Sequence, residues 1–151
     1  MSTDDQNIFP EFEKLFWKLS REMGYLWKRI YEQTLPGSQF HILFLLERNG
    51  TKRMSELADA LHLTPGAVTT ASDRLIDRGY IDRVRDEKDR RVIYLELTQK
   101  GKETLNELQN EGRKIMKLVF NDISDIDLKM MNTIFKQANS SINSIKRDYD
   151  Q

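Results

Sequence analysis

The chain has 151 residues, with 24 Lys and Arg balanced by 24 Asp and Glu, no Cys, three Pro and seven Gly, which fits one domain with a sizeable core. Zero net charge excludes bulk attraction to nucleic acid or membrane, so any such binding has to come from local clustering. Without Cys there is no disulfide frame, thiolate metal site, thiol nucleophile or thiol redox sensor.

From Phe12 the apolar residues fall at Phe12, Phe16, Leu19, Met23, Leu26 and Ile30, steps of four and three that draw a stripe down one face of a long helix. Leu35-Pro36-Gly37-Ser38 ends it and opens a second, shorter helix through Phe40, Leu43, Leu45 and Leu46, which Asn49-Gly50 stops. Residues 54–61 read as a third helix that stops at His62-Leu63. Thr64-Pro65 then announces a fourth, with Thr as cap and Pro at the first helical position. In it Val68, Ala71 or Ser72, Leu75 and Ile76 face inward, and Gly79 ends it. Two short helices joined by a tight turn make a helix-turn-helix.

After Gly79 the period changes to that of strands. Ile81-Asp82-Arg83-Val84-Arg85 and Val92-Ile93-Tyr94-Leu95-Glu96-Leu97 predict a two-stranded hairpin, and its tip, residues 86–91, is entirely charged. Lys100-Gly101 leads into another long helix with Leu105, Leu108, Gly112, Ile115 and Val119 on one side. Ser124 caps a last one carrying Met131, Ile134, Ala138, Ile142 and Ile145. The fold class is mainly α, a winged helix-turn-helix with a small β hairpin as wing and long N- and C-terminal helices. The expected organisation is a single domain, with the winged helix-turn-helix over 35–101 set between long helices in 1–34 and 102–151.

A helix-turn-helix followed directly by a charged hairpin suits duplex DNA. The second helix enters a major groove by its N-terminal residues, and the wing reaches an adjacent minor groove. Gly66 and Ala67 add no bulk there, Thr69 and Thr70 offer hydroxyls and methyls, and Arg74 lies one turn further on. Residues 51–101 hold ten basic and nine acidic side chains, but within 83–91 five basic residues meet three acidic ones. The basic signal is therefore local to the wing.

Three pieces of sequence then combine: Leu75-x-x-Arg78-Gly79-Tyr80-Ile81-x-Arg83, Asp89-x-Arg91, and Leu97-Thr98-x-x-Gly101. With Ser55-Glu56-Leu57-Ala58 and Thr69 upstream, the spacing over residues 51–101 resembles the MarR family of winged-helix transcriptional regulators. The resemblance implies that Pro65, Gly66, Ala67, Thr69, Thr70 and Arg74 fall where the family's recognition helix meets DNA. It implies that Arg91 is the wing arginine of the minor groove, oriented by an ion pair with Asp89. It further implies a homodimer whose first and last helices interlock, with 1–34 a dimerisation helix, 35–101 the DNA-binding lobe and 102–151 further dimerisation helices, binding double-stranded DNA at a palindromic operator. Release of such a repressor by a small aromatic or lipophilic effector is also implied.

Each residue also has a plainer reading. Arg91 can be a solvated hairpin tip. Arg74 and Arg78 can pair with Asp73 or Asp77, the structural role suiting Arg78 better, and Arg83 can contact a backbone phosphate or tie down the wing, the second reading being preferred. Either Thr69 or Thr70 can bond a carbonyl one turn back. Phe16, Trp17, Trp27, Tyr31, Phe40 and His41 are candidates to line an effector pocket, although such a stripe also suits a dimer core. His41 reads as a partly buried, hydrogen-bonded residue, and His62 as a turn residue with no special role. Two His and no Cys argue against a zinc or iron site. No dinucleotide or phosphate loop and no nucleophile elbow occurs, so no catalytic residue and no cofactor is expected.

The first residues mix acids and aromatics in place of a signal peptide, and no window of about 18 apolar residues occurs. A cytoplasmic protein with no membrane partner is expected. Two rival functions remain open from sequence: a winged-helix module used only for protein interaction, or a small-molecule-binding helical dimer with no DNA role.

Overall fold

The computed structural model describes residues 7–149, so the outermost residues of the 1–34 and 102–151 segments lie outside it. Residues 1–113 cluster as one compact unit and 114–151 as a second. The first is mainly helical around a three-stranded antiparallel sheet.

Helix α1 runs Ile8–Tyr31, with Pro10 in its first turn, where a missing N–H costs the helix nothing. None of its residues is buried: Phe9, Phe12, Leu15, Phe16 and Leu19 all stand exposed. Water does not favour so long an apolar face uncovered. A turn at Leu35-Pro36-Gly37 follows, in which Gly37 has positive φ, and α2 covers Gln39–Asn49 with Ser38 before it. Pro36 thus lies in the turn and does not open the helix. Gly50, at φ 75°, stops α2 in a conformation that side-chain-bearing residues resist.

The sheet has one strand more than the hairpin expected from sequence. Strand β1, Lys52–Arg53, pairs with β3, Ile93–Leu97, on the side away from β2, Ile81–Arg85, so the order is β1-β3-β2. A two-residue strand has no room to show alternation, which is why the period analysis passes over it. Helices α3, Met54–Leu61, and α4, Pro65–Asp77, form the helix-turn-helix. His62 closes α3 in the left-handed region at φ 53°, a structural part that its sequence position alone does not announce.

Leu35, Ile42, Leu43, Leu57, Val68, Leu75, Ile81, Leu95 and Leu105 make the core of this unit, each at 1% exposure or less. Each contributes about 2 kcal/mol by leaving water. On α4 the buried set is Val68, Ala71, Ser72 and Leu75, and Ile76, also expected to face inward, is half-buried against the core. Helix α5, Gln99–Val119, starts one residue before Lys100, so Gly101 sits inside its first turn. Thr98 caps it: its hydroxyl accepts from the Gly101 N–H at 3.0 Å and donates to the Gly79 carbonyl at 2.7 Å. In the second unit, α6 covers Asp125–Tyr149. Ser124 accepts the Asp127 N–H at 3.1 Å, the cap expected from sequence. Ile126, Met130, Ile134, Phe135, Ile142 and Ile145 are exposed along this helix.

Candidate nucleic-acid interface

The recognition-helix candidate starts where a cap forces it to. The Thr64 hydroxyl accepts the Ala67 N–H at 3.2 Å, and Pro65 occupies the first helical position. With Val68, Ala71, Ser72 and Leu75 turned inward, the 3.6-residue period sends Pro65, Gly66, Ala67, Thr69, Thr70 and Arg74 outward, and all six are exposed. A Cβ built on Gly66 meets nothing within 4 Å, so the protein's own packing does not require glycine there. The Thr69 hydroxyl donates to the Pro65 carbonyl at 2.9 Å, which commits its proton inside the helix and leaves its lone pairs and methyl outward. Thr70 and Arg74 border an open depression of about 350 Å³ shared with Pro36, Gly37, Ser38 and Gln39.

Arg78 and Arg83 both take the structural parts expected of them, but Arg78 does so with other partners than the nearby aspartates. Asp73 is ion-paired with Arg83 of β2, while Arg78 pairs with neither Asp73 nor Asp77. The Arg78 guanidinium instead donates to the Thr34 carbonyl and to the Tyr80 hydroxyl at 3.3 Å, and it lies over the Tyr80 ring. Lys100 donates to the Arg78 carbonyl at 2.7 Å and covers the same ring. These contacts fasten the end of α4 to the turn after α1 and to the start of α5.

The wing is a short loop between β2 and β3. The Asp89 carboxylate accepts the Arg91 backbone N–H at 3.1 Å and its Nε–H at 3.3 Å. The Arg91 side chain is 93% exposed, so Asp89 aims it through Nε and leaves its two Nη groups open to solvent. Arg53 and Tyr94, which sequence reasoning did not single out, meet at the base of this wing. Neither carries a motif, and only the pairing of β1 with β3 brings them together.

The six aromatic candidates divide into two groups. Trp27, Tyr31 and Phe40 stack in sequence, with Tyr31 and Phe40 4.0 Å apart and nearly parallel. His41 meets the Phe40 ring edge-on but is exposed and without the hydrogen bond expected of it, because α2 turns its imidazole to solvent. Phe16 and Trp17 lie further up α1, where Phe16 packs against both Trp17 and Phe12. Burial raises the pKa of the Tyr31 hydroxyl, which therefore stays neutral. Among the described residues no three His, Cys, Asp or Glu gather in a metal-binding group, and no helix is long and apolar enough to cross a membrane.

Comparison with known proteins places this geometry. A family model described as the MarR family matches residues 35–93. The chain is 34% identical over 119 residues to the HTH-type transcriptional repressor MdtR of Bacillus subtilis, covering 77% of this chain and 75% of that protein. It is 24% identical over 127 residues to the HTH-type transcriptional regulator YpoP of the same organism, covering 84% and 90%. Among solved structures, the YusO protein of Bacillus subtilis superposes with a TM-score of 0.71 at 27% identity, covering 93% of this chain and 99% of that one. A protein from Bacillus stearothermophilus reaches a TM-score of 0.81 at 22% identity, covering 91% and 97%, which speaks for the fold.

Proposed function

The chain belongs to the MarR family, and from that premise we propose that it is a transcriptional repressor that binds a palindromic duplex operator as a homodimer and is released by a small effector. The observation that carries this reading is the pairing of two exposed elements. The α4 face of Pro65, Gly66, Ala67, Thr69, Thr70 and Arg74 is small and uncluttered, and the wing presents Arg91 already oriented by Asp89. In each subunit α4 lies in a major groove, about 10 base pairs from its mate, and Arg91 enters the flanking minor groove. Gly66 and Ala67 let the helix approach the base edges, the two threonines contact bases and sugar-phosphate, and Arg74 bonds a phosphate.

The exposed apolar face of α1 supports dimerisation, and the apolar residues exposed on α6 support it independently. The effector is aromatic or lipophilic, and it inserts beside the Trp27–Tyr31–Phe40 stack near His41, with Phe16 and Trp17 lining the approach along α1. It acts by favouring a separation of the two reading heads that the operator does not match. No catalytic step belongs to this role, no metal or cofactor takes part, and the protein works in the cytoplasm. Selection of binding duplexes from a random pool with the purified full-length protein tests the reading. Recovery of an inverted repeat supports it. A folded dimer that enriches no sequence, before and after refolding to strip bound ligand, overturns it.

A further inference from the structure

Tyr94 stands between the helix-turn-helix and the wing. On β3 it pairs with Arg53 of β1 on one side and with Val84 of β2 on the other. Its hydroxyl accepts from Arg53 Nη2 at 3.4 Å and donates to Asp86 Oδ2 at 3.5 Å. The Arg53 guanidinium also lies over the Tyr94 ring, 5.6 Å from its centroid. With a cation on one side and a carboxylate on the other, the hydroxyl has one favourable orientation.

Both ends of this chain are themselves fixed. Arg53 is the residue before α3, and its backbone N–H donates to Glu56 Oε2 at 2.8 Å, which anchors it to the first helix of the motif. The hydrogen bond to Tyr94, aided by Glu56 and Asp86, holds the Arg53 pKa above its ordinary value, so this partner stays charged. Asp86 closes the neck of the wing. Its N–H donates to the Val92 carbonyl at 3.1 Å, and its Oδ1 accepts the Lys88 N–H at 2.9 Å. The loop so closed carries Asp89 and Arg91.

We propose that Tyr94 is a positioning residue for DNA binding, its hydroxyl linking Arg53 at the start of α3 to Asp86 at the neck of the wing so that Arg91 is held in place for the minor groove. This rests on the reading of the wing as a DNA contact. Tyr94 acts through Arg91 in this proposal and is assigned no DNA contact of its own. A wing that pivots freely at its neck has to be ordered on binding, and the Arg53–Tyr94–Asp86 chain has already ordered it. Each hydrogen bond is long and modest, but both act on the same short lever, the neck from which Arg91 projects.

The test is a double-mutant cycle in the full-length protein on the selected operator, with wild type, Tyr94→Phe, Arg91→Ala and the double variant. Phenylalanine keeps the ring and its packing and removes only the hydroxyl. Tyr94→Phe is expected to weaken binding by about fivefold through the ordering now left to the bound state. Arg91→Ala is expected to cost at least about fivefold in the wild-type background, and the coupling leaves less than about twofold in the Tyr94→Phe background. Amide exchange in residues 86–92 should quicken in Tyr94→Phe, while that of α4 stays the same.

Equal costs of Arg91→Ala in the two backgrounds overturn the positioning role and leave the wing contact standing. No cost of Arg91→Ala in the wild-type background overturns the wing contact itself. If Tyr94→Phe does not fold, Asp86→Asn, which replaces the charged acceptor at the other end by an amide, has to show the same coupling. Additivity with that variant overturns the proposal equally.

Discussion

Asp73 on α4 and Arg83 on β2 form an ion pair that ties the recognition-helix candidate to the first strand of the wing. Its effect on DNA binding is expected to be larger than its effect on stability. Both side chains are about half exposed, so the pair contributes at most about 1 kcal/mol to folding. Removal of Arg83, however, leaves a bare carboxylate on the helix proposed to meet DNA. Arg83→Ala is therefore expected to weaken operator binding several-fold, and adding Asp73→Ala should restore most of that loss. Affinities of the three variants, with thermal unfolding alongside, check this. An Asp73→Ala change that fails to rescue Arg83→Ala assigns Arg83 a contact of its own.

Gly66 separates close approach from packing. Because a Cβ at this position meets nothing within the chain and its φ is not positive, Gly66→Ala should fold as well as wild type or better, by up to about 1 kcal/mol. Operator affinity should nevertheless fall, by about tenfold if the added methyl displaces a base-edge contact. Stability from denaturant unfolding and affinity from titration, measured on one preparation, decide it. Unchanged affinity would mean that α4 stands further from the groove floor than proposed.

Gly101 is a different case, because there the backbone itself is in the way. A Cβ would clash with the Tyr80 carbonyl oxygen and lie 2.8 Å from Leu97 Cδ1. Gly101→Ala is expected to cost about 3 kcal/mol, as an overpacked site that cannot relax by turning a side chain. Calorimetry should show an unfolding midpoint roughly 10 °C lower.

Ser72 carries a hydroxyl with no evident use. It is fully buried, and its Oγ has no hydrogen-bond partner among the described residues. Ser72→Ala removes an unsatisfied polar group and raises helix propensity, so it should stabilise the protein by about 1 kcal/mol. A loss of stability by the same measure would reveal a bond to a buried water.

Much of the helical framework is legible in the sequence, because helix signals are local. Thr64-Pro65 and Gly79 bracket α4, and the spacing of Val68, Ala71, Leu75 and Ile76 identifies its inward side. The Asp89–Arg91 pair is equally local, being two residues apart on one loop. What is not legible depends on pairing over distance. Strand β1 is too short to carry a period and is defined only by Leu95 and Tyr94 opposite it. The Arg53–Tyr94 contact, 41 residues apart, inherits that difficulty. Asp73 takes Arg83 across a turn and passes over cations on its own helix, a choice that chain spacing cannot announce. The aromatic candidates divide for a related reason: α1 is long enough that Phe16 and Trp17 lie beyond reach of the Trp27, Tyr31 and Phe40 stack.

The most direct measurement is the affinity of the full-length protein for the selected inverted repeat and for a scrambled duplex, each at a low and a physiological salt concentration. Recognition by α4 and the wing predicts a preference of about a thousandfold or more for the repeat. It also predicts a steep loss of affinity for both duplexes as salt rises, from displaced counterions. Equal affinity for the two duplexes, or binding indifferent to salt, would contradict sequence-specific DNA recognition by this chain.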